Sequence, residues 1–326
     1  MNRVLLLDTS VFSRNMGDQI IVESIHRHMR QLLERSFIIN APTHIPIMNY
    51  RILLSKRFVQ WTARQCDYKF VCGTNLLTAK RRLFPLSMAA LWQIGFPSIY
   101  LLGGSVLVGA GLGSSDTKPN YLSKVFYKRL LSVDFIHSVR DSQAMQFMAN
   151  LGIKAINTGC PTTWGLTEEH CRGIPISKSK NVIFTITDYR KDPLRDQMMV
   201  DTLLRNYENV YFLPQGFYDY DYFCTLKRRE KIQLIAPNLS AYKNFLGNIC
   251  VDYVGTRLHG GILAMLYCKR SIIISVDNRT EAINNDINLN MLNRDSIETL
   301  DTMLNSNLPT KLNINFNGIN EWLKQF

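Results

Sequence analysis

The chain has 326 residues, 46% of them hydrophobic and 20% charged, with a formal net charge of +12. That length suggests about two domains at roughly 100–200 residues each, and the composition excludes a disordered chain. The surplus of Lys and Arg fits either an anionic partner (nucleic acid, anionic lipid or a phosphorylated substrate) or a merely basic, soluble surface.

The basic residues cluster: Arg51, Lys56, Arg57 and Arg64; Lys80-Arg81-Arg82; residues 124–129; and Lys227-Arg228-Arg229. Apolar residues interleave with them, as in YLSKVFYKRLL (121–131), a pattern that suits a membrane-surface face. The seven cysteines are scattered without a CxxC pair, so neither a zinc pattern nor a disulfide framework can be read. The apolar run in MNRVLLLDTS is too short for a signal peptide. A reducing, cytoplasmic location is expected.

In chain order, RVLLLD (3–8) reads as a buried strand. Residues 18–34 read as a helix, with Ile20, Ile21, Ser24, Ile25, His28 and Leu32 on one face. FIIN (37–40), YKFVCG (68–73), SIYLLGG (98–104) and FIHSVRD (135–141) are further strand candidates. Residues 83–115 carry no charge, yet Gly95, Pro97, Gly103-Gly104, Gly109, Gly111 and Gly113 interrupt them. This predicts a helix, a buried strand at 98–102 and a glycine loop, not a spanning helix. Residues 141–151 read as a helix capped by Asp141 or Ser142 and stopped at Gly152.

A second series follows a Gly/Ser/Lys/Pro-rich stretch. Its strand candidates are NVIFTIT (181–187), NVYFLPQG (209–216), IQLIA (232–236), CVDYVG (250–255) and SIIISV (271–276). GINEWLKQF (318–326) reads as a C-terminal helix. Strands alternating with helices predict parallel sheets covered by helices. The expected division is an N-terminal α/β domain (1–165), a linker (166–180) and a C-terminal α/β domain (181–326), with the last helix packing across.

In open α/β sheets ligands bind at the carboxyl ends of strands. Three strand ends here carry polar residues. In DTSVFSRNMGDQII (8–21), Gly17 allows a tight turn. Asp18 either caps the helix or faces a cleft as a base toward a hydroxyl. In HSVRDS (137–142), Arg140 either pairs with Asp141 or a neighbouring acid, or grips an anion. In VDYVGTRLHGGILAM (251–265), Arg257 and His259 sit where a strand becomes a helix. There they can hold a phosphate or carboxylate and move a proton. LLGGSVLVGAGLG (101–113) does not fit GxGxxG and follows a later strand, so a nicotinamide site is not expected. It is read as a loop against the interdomain cleft, with Gly104 in it. Cys160 is read as a packing residue at a domain-joining turn.

NMGDQ (15–19), GGS (103–105), SVRDS (138–142), TGCPTTW (158–164), GTRLHGG (255–261) and SVDNR (275–279), in that order, resemble the polysaccharide pyruvyl transferase family. The resemblance implies an α/β, GT-B-like fold of two Rossmann-like domains facing a cleft. It also implies transfer of a pyruvyl group from phosphoenolpyruvate to sugar hydroxyls, forming a ketal on a surface polysaccharide or its lipid-linked precursor. The family's phosphoenolpyruvate contacts fall on Arg140, Arg257, Leu258 and His259. His259 is then the expected acid or phosphate holder, and Asp18 the expected base. Gly17, Gly104, Asn278 and Arg279 are expected near the cleft, Arg279 in place of a lysine frequent in the family.

Neither a metal nor a cofactor is expected. The expected partners are phosphoenolpyruvate, a glycan acceptor and an anionic membrane surface on the inner face, not nucleic acid. Two other readings share much of this sequence. One is a GT-B glycosyltransferase using a nucleotide sugar; the other is a non-catalytic protein binding anionic glycan or lipid.

Overall fold

The computed structural model describes residues 1–45, 63–82, 92–276 and 278–326, apart from the side chains of 278–282. Arg51, Lys56, Arg57, the helix expected ahead of residue 92 and the side chains of Asn278 and Arg279 lie outside the described residues. The chain divides into two compact units. Unit 1 is Met1–Ser13, Ile21–Trp164 and Asn315–Phe326; unit 2 is Arg14–Ile20 and Gly165–Ile314.

In unit 1, β1 (Asn2–Asp8) lies between β2 (Ser36–Pro42) and β3 (Tyr68–Cys72), and β4 (Val106–Val108) extends the sheet, all parallel. A strand flanked on both sides and covered on both faces has to be apolar throughout. This is why RVLLLD shows no alternation, and Val4, Leu6 and Leu7 are fully buried. β5 (His137–Val139) pairs with β6 (Ala155–Asn157), and an Ala110–Val139 bridge joins this pair to the chain after β4. His137 locks that junction. The Leu107 N–H donates to Nδ1 (3.1 Å), and Nε2 donates to the Ser132 carbonyl (2.9 Å). Burial lowers its pKa to about 4.

The helix Ser142–Leu151 has the expected ends: Asp141 accepts from the Ala144 N–H, and Gly152 closes it with φ +71°. The helix Phe316–Leu323 returns to unit 1, where Trp322 is fully buried and Phe326 meets Phe70 edge-on at 4.9 Å.

Three readings of the sequence need correction in unit 1. Residues 98–102 are not a strand: Phe96–Ser98 forms a 3₁₀ turn and Ile99–Leu102 a helical one. Pro97 in the first turn fixes a helical φ, and Gly104, at φ +81°, ends the element. The strand is instead the valine-rich Val106–Val108, inside the expected loop. The helix expected over 18–34 covers Met16–His28, breaks at Met29 and resumes for Arg30–Leu33. β6 was not legible, because three half-buried residues give no pattern.

Unit 2 holds one six-stranded sheet, all parallel, in the order β12-β11-β10-β7-β8-β9. The strands are β7 (Asn181–Thr185), β8 (Asn209–Phe212), β9 (Gln233–Leu234), β10 (Asp252–Gly255), β11 (Ser271–Ser275) and β12 (Met291–Asn293). The chain builds outward from β7 to β9, then returns beside β7 and builds the other way. That is the Rossmann order, and it opens a crevice at the carboxyl ends of β7 and β10. Residues 166–180, expected as a linker, contain the helix Glu168–Arg172 and belong to unit 2.

Candidate functional site

The switch point of unit 2 gathers charged side chains. Arg257 follows β10 and is the N-cap of the helix Leu258–Leu266, yet its side chain makes no cap bond. The guanidinium turns toward the loops after β7 and β8. Nε donates to Asp219 Oδ2 (3.0 Å), Nη2 donates to Asp219 Oδ1, and Nη2 donates to Asp188 Oδ1 (2.7 Å). Arg257 is 4% exposed, and the Tyr189 ring lies 5.2 Å from its Cζ. Gly216 makes this approach feasible: a Cβ there would fall 2.0 Å from Nη2.

Asp219 has no exposed surface and accepts the N–H groups of Gln215 (3.1 Å), Gly216 (2.6 Å) and Asp188 (3.1 Å). Burial pushes its carboxyl pKa up, and Arg257 opposes the rise. Burial works against the Arg257 cation too, but Asp219, with Tyr189 and Asp188, outweighs it and raises the arginine pKa. The backbone of Arg257 is fixed as firmly. Its N–H donates to Thr185 Oγ1 (3.2 Å), and Tyr253 OH donates to its carbonyl (2.6 Å). Among the described residues, Nη1 makes no hydrogen bond.

The NMGD motif belongs to the same unit. The Met16 N–H donates to the Gln215 carbonyl (2.9 Å), the Phe217 N–H donates to the Arg14 carbonyl (2.9 Å), and Asn15 forms an antiparallel bridge with Gly216. Gln215 Nε2 donates to Asn15 Oδ1 (3.3 Å), which also accepts the Gly17 N–H (3.0 Å). Residues 200 positions apart thus meet beside the loop that holds Asp219. Asn15 Oδ1 thus bonds an amide at the start of the helix Met16–His28. Asp18 is buried in its first turn, at 7% exposure, where the helix dipole favours a carboxylate. Gly17 packs against the Asn15 side chain and Gln215 Nε2. Leu258 packs among the apolar residues behind the site, and His259, partly exposed, follows it in the first turn of its helix.

Arg140 lies in unit 1, 5% exposed, after β5. Nε donates to Asp141 Oδ2 (3.2 Å), and Nη2 donates to Asn75 Oδ1. The pairing with Asp141 that the sequence left open is therefore made. The side chain lies across Gly111, where a Cβ would fall 2.3 Å from Nε. Nη1 again makes no hydrogen bond among the described residues. Gly104 is not brought near: it precedes β4, at the amino end of the sheet, whereas Arg140 stands at the carboxyl end. Cys160 is a buried packing residue, as expected, and burial pushes its thiol pKa up.

The sequence reading missed Asp188, Asp219, Gln215 and Asn75. Asp188 had a signal, because it stands just past β7, where the rule that found Arg257 also applies. The others come from loops whose course no local pattern records. Among the described residues, no three His, Cys, Asp or Glu side chains converge as a metal site needs.

These sheets make the chain an α/β protein of two Rossmann-like units, a GT-B-like fold. The likeness to solved structures agrees. The Methanocaldococcus jannaschii UDP-GlcNAc 2-epimerase, in complex with UDP-GlcNAc and UDP, is 15% identical with a TM-score of 0.53, and the match covers 100% of both chains. S. aureus MnaA with UDP is 12% identical with a TM-score of 0.52, covering 95% of this chain and 91% of that one. No curated protein matches significantly. The polysaccharide pyruvyl transferase family model matches residues 15–278, and the chain belongs to that family. Membership makes it a transferase that acts in polysaccharide modification.

Proposed function

We propose that the protein transfers the pyruvyl group of phosphoenolpyruvate to two hydroxyls of a sugar, forming a cyclic ketal. The acceptor is a surface polysaccharide or its lipid-linked precursor, and the work is done at the cytoplasmic face of the membrane. The observation that carries the reading is Arg257, clamped by Asp219 and Asp188 with Nη1 left over, at the start of the Leu258–Leu266 helix. The amides at the start of that helix suit an anionic donor, which would meet Arg257 at Nη1 in spite of the two carboxylates on its other nitrogens.

The chemistry assigned to these residues balances. A proton added to C3 of phosphoenolpyruvate leaves an oxocarbenium-like centre at C2. One sugar hydroxyl attacks C2 and loses its proton. Inorganic phosphate departs with the C2–O bond pair, and the second hydroxyl attacks C2, closes the ring and gives its proton to the departed phosphate. His259 is assigned as the proton donor or the holder of the leaving phosphate, and Asp18 as the base. Arg140 is assigned to an anionic substrate group, with Nη1 as its donor.

The M. jannaschii and S. aureus proteins carry UDP, so UDP and GDP are the proper controls. Thermal stability is measured with phosphoenolpyruvate, UDP and GDP, for the wild type and for Arg257→Lys, which keeps a charge opposite Asp219. Saturation at about 100 times the dissociation constant adds about 2.7 kcal/mol. A shift with phosphoenolpyruvate that fails in Arg257→Lys supports the reading. A shift with UDP or GDP alone replaces it with a nucleotide-sugar glycosyltransferase.

A further inference from the structure

We propose that an open cavity between the helix Asp219–Phe223 and the edge strand β9 is where the protein lies on an anionic bilayer. The cavity has a volume of about 650 Å³. Its apolar lining includes Phe223 and Ile232, and its lip carries Tyr220 and Leu234, which are 47% and 50% exposed. Lys227, Arg228 and Arg229 stand on the same rim, and Lys231 follows in the 3₁₀ turn Arg229–Lys231.

Charge complementarity selects the occupant. Four cations meet three carboxylates here: Glu230, the exposed Asp221 beside Tyr220, and Asp201, which accepts from Arg228 Nη1 at 3.2 Å. The surplus matches the sign of the whole chain, whose net charge is +12. An apolar floor, an aromatic and a leucine at the lip, and cations just outside form the order met when entering a bilayer interface from water. Apolar groups face the acyl boundary, and long cationic side chains reach the phosphates. The most buried residues of the lining, Phe223 and Leu226, are apolar. No helix among the described residues is long and apolar enough to cross a membrane, so this contact would be peripheral. The inference stands apart from the choice of donor, because the residues are not those around Arg257.

The test is co-sedimentation of the full chain with vesicles of phosphatidylcholine alone, or with phosphatidylglycerol added. Among the described residues Lys227 and Lys231 make no side-chain bond or ion pair, so Lys227→Glu/Lys231→Glu leaves the loop's own contacts in place. Binding to the anionic vesicles is expected, with loss on raising salt well above about 0.1 M. A drop of about tenfold or more is expected in the double variant. Leu234→Ser should also weaken binding, and Lys124→Glu/Lys128→Glu, on the helix Tyr121–Leu130, should not. Phosphoenolpyruvate-induced thermal shifts should be the same in the double variant as in the wild type. Absence of vesicle binding, equal binding to neutral vesicles, or wild-type binding by the double variant would overturn the proposal. Release of the protein from vesicles by glycerol phosphate would overturn it in favour of a small-phosphate pocket.

Discussion

Arg140 and Arg257 occupy matching places in two different sheets. Each follows a buried parallel strand, each stands at the start of a helix, and each keeps about one-twentieth of its surface exposed. Their partners differ. Arg257 meets two carboxylates, so the cluster carries a net negative charge and its fork is already filled by Asp219. Arg140 meets one carboxylate, already engaged as the helix cap, and one amide. The same backbone position therefore yields a rigid, over-neutralised arginine in unit 2 and a lightly held one in unit 1. The sequence left open whether Arg140 pairs with Asp141 or grips an anion, and gave Arg257 a phosphate or carboxylate to hold. Among the described residues each keeps one guanidinium nitrogen, Nη1, without a hydrogen bond.

The difference is broken most directly by deletion. Arg257→Ala leaves Asp219 buried without its cation, and urea denaturation should show a loss of about 3–5 kcal/mol. A loss below about 1 kcal/mol would show that Asp219 takes up a proton and needs no partner. Acid attacks unit 1 through His137. Its folded pKa of about 4 lies below the ordinary 6.5, so the unfolded chain binds the proton first. Stability should be full above pH 6.5, fall as the pH drops toward 4, and level off below. The full difference is about 3 kcal/mol. The part of the slope between pH 6.5 and 4 that His137→Gln removes measures it.

Arg140→Ala strands only Asn75 and one oxygen of Asp141, for about 1–3 kcal/mol in the same urea experiment. Equal losses at the two arginines would erase the contrast. Asp188→Asn removes the more exposed of the two carboxylates on Arg257, at 19% side-chain exposure. It should change stability by less than about 1 kcal/mol and tighten phosphoenolpyruvate binding about tenfold by calorimetry. Weaker binding would make Asp188 a ligand contact in its own right.

The sequence was most legible where a strand is buried on both faces. RVLLLD, NVIFT and SIIIS read directly as strands, because every position has to be apolar. The sites at strand ends were legible by the same logic, since Arg140 and Arg257 interrupt such runs; Asp188 stands in a like place and was missed. SIYLL misled, because its residues suit a buried strand while its ends, Pro97 and Gly104, dictate a turn of helix. β12, like β6, was too short to carry a period. What holds Arg257 was hidden for a different reason. Asp219 lies 38 positions away and Asn15 some 200 from Gln215. Contacts at that range are set by the fold and leave no trace in local spacing.

The closing segment of unit 1 bears on synthesis as well as architecture. Gln325 clasps the chain just before β5: the Ile136 N–H donates to Oε1 (2.7 Å), and Nε2 donates to the Ile136 carbonyl (3.2 Å). Trp322 and Phe326 complete the aromatic cluster around Phe70. A ribosome translating this message must therefore deliver residues 315–326 before the first sheet to emerge can close its core. Unit 2, whose residues end at Ile314, has all its parts earlier. Part of unit 1 is made first, yet its last segment follows all of unit 2, so its core is the later of the two to have all its residues.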